Sequence, residues 1–79
     1  PADHEAIAKA YEADAVTADA KAKEHEAMAR TYRSTGGPNS NTNSMVRHCE
    51  RLVKEYTDAA ADYRALAAEH RGMAKDTAK

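Results

Sequence analysis

Apolar and small side chains recur along this chain in alternating steps of four and three residues. The repeat is clearest in the second half, at Met45, Cys49, Leu52, Tyr56, Ala59, Tyr63, Leu66, His70 and Met73. Side chains at these steps share one face of an α-helix, and repetition over four heptads is typical of coiled coils. The pattern predicts a helix over about residues 45–75.

The first half follows the same spacing with smaller side chains. Its repeat runs through His4, Ala8, Tyr11, Ala15, Ala18, Ala22, His25, Ala29 and Tyr32. Asp3 is a suitable N-cap, and neither Gly nor Pro occurs between residues 4 and 33. A second helix is therefore predicted over about residues 4–33, with alanines that allow close helix approach.

The polar stretch 34–44 predicts a loop between the helices. Gly36 can end the first helix in the left-handed conformation, and Pro38 prevents its continuation. A connection this short makes the helices antiparallel neighbours. The predicted fold is all-α, a single domain over residues 1–79 built as an antiparallel helical hairpin.

The composition indicates that one hairpin cannot form a large core. The chain has 79 residues, no Phe and no Trp, and most of its apolar side chains are alanines. Chains of this size are close to the lower limit for a stable single core. We therefore expect a homodimer, in which two hairpins form a four-helix bundle.

The charge pattern excludes two classes of partner. Twelve Lys and Arg residues against 13 Asp and Glu residues give a net charge of −1, with the signs interspersed. Nothing resembles the basic stripe of a nucleic-acid-binding protein. No apolar run approaches the roughly 18 residues that a membrane-spanning helix needs. We expect neither nucleic-acid binding nor membrane insertion.

Candidate chemistry centres on the single cysteine. If the chain folds back at the loop, Cys49 and His48 approach His25 and Met28 of the first helix, with Met45 one turn away. Two imidazoles, a thiolate and a thioether are the ligand set of cupredoxin-type copper sites. The start of the second helix favours the thiolate that binds metal. The sequence predicts a copper site at Cys49, His25, His48 and Met28, with Met45 as the alternative thioether.

A second group of metal ligands is predicted at the other end of the hairpin. It comprises His4, His70 and Met73, lacks a thiolate, and suits Cu(I). If two hairpins pair with their loops at opposite ends, this group approaches the Cys49 end of the other subunit. If the loops lie at the same end, two Cys49 thiolates approach each other instead.

Other interpretations of these residues stay open. Methionines are common core filler, and a lone cysteine is often a small buried apolar residue. Zinc accepts Cys and His but makes little use of Met. Haem could take His and Met as axial ligands, although the alanine-rich face leaves little room for a porphyrin. A coiled-coil interaction module without metal, and a copper-dependent redox enzyme such as a dismutase, are further alternatives; a non-enzymatic role fits better, because a narrow bundle offers no substrate cleft.

The segments H-E-A-M-A-R-T-Y (25–32) and M-V-R-H-C-E-R-L (45–52), followed by Tyr56 and Tyr63, resemble small exported bacterial helical-hairpin proteins. The resemblance implies location in the cell envelope, which for a bacterium is the periplasm, together with copper handling. We also expect a redox or copper-donor protein as a partner. The chain opens Pro1-Ala2-Asp3 without an initiator Met, as a processed or trimmed chain would.

Overall fold

Two α-helices account for almost all of the residues that the computed structural model describes, namely 3–35 and 40–77. Helix α1 is His4–Thr35 and helix α2 is Ser40–Thr77. The two pack against each other as a hairpin, which confirms the predicted all-α class. No helix within these residues is both long and apolar enough to cross a membrane.

Both helices extend into the stretch predicted as a loop. Ser34 and Thr35 belong to α1, and residues 40–44 form the first turn of α2. Ser, Thr and Asn favour caps and turns, but each costs a helix only about half a kcal/mol relative to Ala. Because no Gly or Pro lies between residues 40 and 44, the helix can continue through them. Gly36 and Pro38, the predicted stop signals, lie outside the described residues.

The start of α1 is capped as predicted. An Asp3 carboxylate oxygen accepts a hydrogen bond from the backbone N–H of Ala6 at 3.1 Å. The Asp3 carbonyl also accepts from the N–H of Ile7 at 3.0 Å, as the first helical hydrogen bond. One of the free donors at the helix start is thereby satisfied.

The hairpin is a rod with a thin core. Its Cα atoms extend over 62 × 14 × 13 Å, and the radius of gyration is 17.9 Å. A compact domain of this length would have a radius of gyration of about 12 Å. All the buried core residues are small: Ala8, Ala15, Ala18, Ala22, Ala29, Cys49, Ala60 and Ala67. Among the described residues, no larger side chain is fully buried.

The contact face of α2 differs from the predicted one. Ala60 and Ala67 are buried, whereas their neighbours Ala59 and Leu66 are only partly buried. The inner repeat on α2 is Cys49, Val53, Tyr56, Ala60, Tyr63, Ala67, His70 and Ala74. Alanine-to-alanine packing lets the helices approach closely, and this rotates α2 so that its leucines lie at the edge.

Candidate functional site

The predicted copper ligands near the loop have contrasting environments. The Cys49 side chain is 3% exposed and is not in a disulfide. By contrast, Met28 and Met45 are 41% and 40% exposed, and His48 is also exposed. The sulfur that would bind copper most strongly therefore lies in the helix interface, while three of its expected companions are accessible from outside.

His25 packs against Tyr56 of the opposite helix. The ring centroids are 5.7 Å apart and the planes are nearly parallel, at 6°. The Nδ1 atom of His25 is buried and has no hydrogen-bond partner among the described residues. A buried nitrogen of this kind carries an unrecovered desolvation cost, so it would gain from a partner.

Within the described residues, no three His, Cys, Asp or Glu side chains come together in a group that could hold a metal ion. The copper site at Cys49, His25, His48, Met28 and Met45 therefore stays a prediction. The other predicted group has a more definite geometry.

At the end of the hairpin opposite the loop, here called the open end, two imidazoles meet. The Nδ1 atoms of His4 and His70 are 2.9 Å apart. The ring centroids are 5.2 Å apart, with the planes inclined by 26°. Both nitrogens therefore lie between the two ring centres, and the rings meet edge to edge. One Nδ1 donates a proton and the other accepts it, so at least one of the two rings is neutral at this nitrogen.

A row of aromatic rings supports this pair. Tyr11 lies 5.7 Å from His70 and 6.1 Å from Tyr63, measured between ring centroids, with interplanar angles below 30°. The rings of the two helices thus alternate along the inner face. Met73 lies one helical turn beyond His70, and its side chain is 44% exposed. The structure brings His4 and His70 together as predicted, with Met73 close to them along α2.

One edge of the hairpin, here called the ion-pair edge, carries cross-helix ion pairs. Arg71 donates two hydrogen bonds to the Glu12 carboxylate, each 2.6 Å long, and a third to Glu5 at 3.3 Å. The next pairs toward the loop are Arg64 with Asp19 and Arg33 with Glu50. Because these positions are separated by multiples of seven residues, the pairs lie along one edge.

The ion pairs alter the pKa values of two of the carboxylates that they contain. The hydrogen bond from Arg71 lowers the pKa of Glu12, and the hydrogen bond from Arg64 lowers the pKa of Asp19. Burial of each carboxylate opposes the shift without reversing it. These cross-helix pairs were not predicted, although acids at 12 and 19 and arginines at 64 and 71 repeat every seven residues.

The opposite edge, here called the apolar edge, carries uncharged side chains except at its centre. It comprises Ile7, Asp14, Lys21 and Met28 on α1 and Met45, Leu52, Ala59, Leu66 and Met73 on α2. Each set is spaced by seven residues. A groove of about 230 Å³ opens at its middle and is lined by Asp14, Thr17, Ala18, Lys21, Tyr56, Ala59 and Tyr63.

In comparisons with known proteins, no family model, no curated sequence and no solved structure matches this chain.

Proposed function

We propose that this chain is a copper-binding helical hairpin whose ligands are His4 and His70, with Met73 as a soft third donor. The supporting observation is the 2.9 Å separation of the two Nδ1 atoms at the open end. The bound ion would serve in electron transfer, copper storage or tolerance. The Cys49 group near the loop is the second place where copper could bind.

The geometry of the histidine pair favours Cu(I). The two nitrogens face each other along one line, and a single proton now occupies the space between them. A metal ion on that line needs a nitrogen–nitrogen distance of about 4 Å, since each metal–nitrogen bond is about 2 Å long. The rings would have to separate by roughly 1 Å, which is feasible near the start of α1 and the last turns of α2. A thioether such as Met73 adds preference for Cu(I) over zinc.

The proposed function includes dimerisation into a four-helix bundle. The accessible surface of the chain is 5621 Å², whereas a compact monomer of 8.6 kDa would expose about 4,700 Å². The excess of about 900 Å² resembles the area that one partner buries in a standard interface. A core made only of alanines and Cys49 gives the isolated hairpin little hydrophobic stabilisation.

Location and exchange partner are part of the proposal. The resemblance of residues 25–32 and 45–52 to exported hairpin proteins supports a bacterial periplasmic protein. Copper would then pass to or from a redox or copper-donor protein.

Competition titrations test copper binding and locate it. Protein is titrated with Cu(I) in the presence of a colorimetric chelator, using wild type, His70→Asn and Cys49→Ser. We expect a complex that resists the chelator in wild type and Cys49→Ser but not in His70→Asn. Loss only in Cys49→Ser would move the site to the loop end. If wild type fails to compete, the copper proposal is wrong.

A second function, a dimerisation module without metal, is supported by the partly exposed leucines of the apolar edge. In that case His70→Asn and Cys49→Ser would both dimerise normally, and wild type would bind neither Cu(I) nor Zn(II).

A further inference from the structure

We infer that the apolar edge binds a second copy of this chain in an antiparallel arrangement, with a two-fold axis passing close to Thr17 and Ala59. The loop of each copy then lies beside the open end of the other. This inference rests on the proposed dimerisation and is independent of copper. Three observations support it. The charges on α1 are complementary, the side-chain sizes on α2 read the same in both directions, and the groove lies at the centre of both patterns.

The charges on α1 favour the antiparallel orientation. The edge positions of α1 read Ile7, Asp14, Lys21 and Met28. A two-fold axis between residues 17 and 18 places Asp14 opposite the partner's Lys21, and Lys21 opposite the partner's Asp14. It also places Ile7 opposite the partner's Met28. A parallel pairing would instead place like charges together, which is unfavourable.

The edge positions of α2 are symmetric about a single residue. They read Met45, Leu52, Ala59, Leu66 and Met73, with the smallest side chain in the middle. An axis at Ala59 places Leu52 opposite the partner's Leu66. The two outermost residues pair in the same way, so that Met45 meets the partner's Met73. Side chains of equal size and polarity therefore meet at every level.

The two centres of symmetry coincide in space. The centre on α1 was located from charges and the centre on α2 from side-chain size, yet Thr17, Ala18 and Ala59 all line the same groove. Asp14 and Lys21 lie on that groove as well. The groove is mostly apolar and open, and the two-fold axis would pass through it, so that the grooves of the two copies face each other.

The charged residues at the centre are available for a partner. Lys21 contacts Glu24 of its own helix at 3.5 Å, with both side chains more than half exposed. Such surface pairs are weak and exchange readily. Ile7 and Leu66 are only partly buried within one chain. Contact with a second copy would bury them further.

The arrangement changes the composition of the metal site. The partner subunit's Met45 would lie next to Met73, beside His4 and His70. Each end of the bundle would then combine imidazoles of one copy with an exposed thioether of the other. A Cu(I) ion bound there would be held by both subunits.

Charge reversal tests the orientation. Sedimentation of metal-free protein with chelator present compares Asp14→Lys, Lys21→Asp and the double variant. Each single variant places two like-charge pairs across the axis, so its dimer dissociation constant should rise about tenfold or more. The double variant restores both pairs and should return to within about threefold of wild type. Asp58→Lys, which makes the same charge change at an exposed position on the outer side of α2, should match wild type.

The inference is overturned if the single variants dimerise like Asp58→Lys, or if the double variant does not recover. A wild-type chain that is monomeric also overturns it. Because no metal is present in this experiment, none of these outcomes depends on copper binding. Loss of Cu(I) affinity in His70→Asn is measured separately, so failure of one proposal is distinguishable from failure of the other.

Disulfide cross-linking gives a second test of orientation. In a Cys49→Ala background, Met45→Cys and Met73→Cys chains are mixed, refolded together and oxidised. The antiparallel arrangement predicts disulfides between unlike chains, distinguished by an affinity tag on one of them. Cross-links mainly between like chains indicate a parallel dimer and overturn the inference, as does the absence of any cross-link in a chain that sediments as a dimer.

Discussion

The two edges of this hairpin are built from the same pair of helices but differ in whether their side chains find partners within the chain. On the ion-pair edge, Arg71, Arg64 and Arg33 each meet a carboxylate of the opposite helix. On the apolar edge, Leu52 and Leu66 remain partly exposed, one heptad to either side of Ala59, which lines an open groove. One edge satisfies its side chains within the chain, and the other does not.

This difference indicates which edge a partner would cover. Ion pairs that are closed within one chain, and exposed to water, contribute little to stability and add nothing for another protein to bury. Apolar side chains that stay half exposed lose much of the stabilisation that burial would bring. Burial of the apolar edge against a partner would therefore add stability, whereas the ion-pair edge fixes the register between α1 and α2.

The largest expected effect comes from polar substitution on the apolar edge. Leu66→Gln should weaken the dimer by roughly 10³-fold, since about 2 kcal/mol of burial is lost in each of two subunits. Sedimentation equilibrium measures the change. Val16→Gln is the matched control, because Val16 is 64% exposed and does not belong to this edge. Equal effects of the two substitutions would contradict the role of the apolar edge.

The second-largest effect is expected from acid, which should weaken the ion pairs of the ion-pair edge and so lower the stability of the fold. Because Glu12 and Asp19 have lowered pKa values, the unfolded chain takes up protons near the ordinary values of 4.5 and 3.8, and the folded chain does so only at lower pH. Their contribution to the free energy of unfolding is therefore present at neutral pH and is lost as the pH falls below about 4.5. Thermal unfolding followed by circular dichroism should show a falling midpoint from pH 6 to pH 3.

The control for this acid dependence is the double variant Glu12→Gln, Asp19→Asn. Its midpoint should be lower at pH 6 but should change less as the pH falls. If wild type and variant lose stability in parallel, other carboxylates are responsible.

A smaller gain is expected at Gly72, which lies inside α2 and not on either edge. An added Cβ at this position would meet nothing within 4 Å. Gly72→Ala should therefore stabilise the helix by about 1 kcal/mol and raise the thermal midpoint by roughly 4–8 °C. No change, or a decrease, would indicate that residue 72 is covered by a partner.

The smallest effect is expected at the heptad level of the ion-pair edge that has an acid but no arginine opposite it. The pairs Glu12–Arg71, Asp19–Arg64 and Arg33–Glu50 leave Glu26 opposite Thr57, one heptad from each neighbour. Thr57→Arg should add a pair worth at most about 1 kcal/mol, because Glu26 already binds Arg30 at 2.9 Å. The small rise in midpoint should disappear in Glu26→Gln.

The heptad spacing predicted the two helices, the inner face of α1 and the meeting of His4 with His70. Spacing could not predict the rotation of α2, because Ala59 and Ala60 are identical neighbours, and the larger Leu66 would be expected inside in preference to Ala67. The choice between them depends on packing against the alanines of α1. Polar residues 40–44 were interpreted as loop because their helix propensity is low, but a weak propensity does not end a helix without Gly or Pro.

The positions of the proposed metal ligands were harder to predict than the fold. Whether Cys49 meets an imidazole depends on side-chain directions within one turn, which a repeat of seven residues does not resolve. The histidine pair at the open end was predictable because His4 and His70 occupy inner positions at matching levels of the two helices. The ion-pair edge could have been found from acids and arginines repeated at seven-residue intervals.

The central claim is that the apolar edge is completed by a second copy, and sedimentation equilibrium of the metal-free chain over a range of concentrations tests it most directly. We predict a species of about 17 kDa, twice the 8.6 kDa of the chain, with helical content that falls as dilution dissociates it. A chain that sediments at 8.6 kDa at every concentration while keeping its full helical signal would contradict the account.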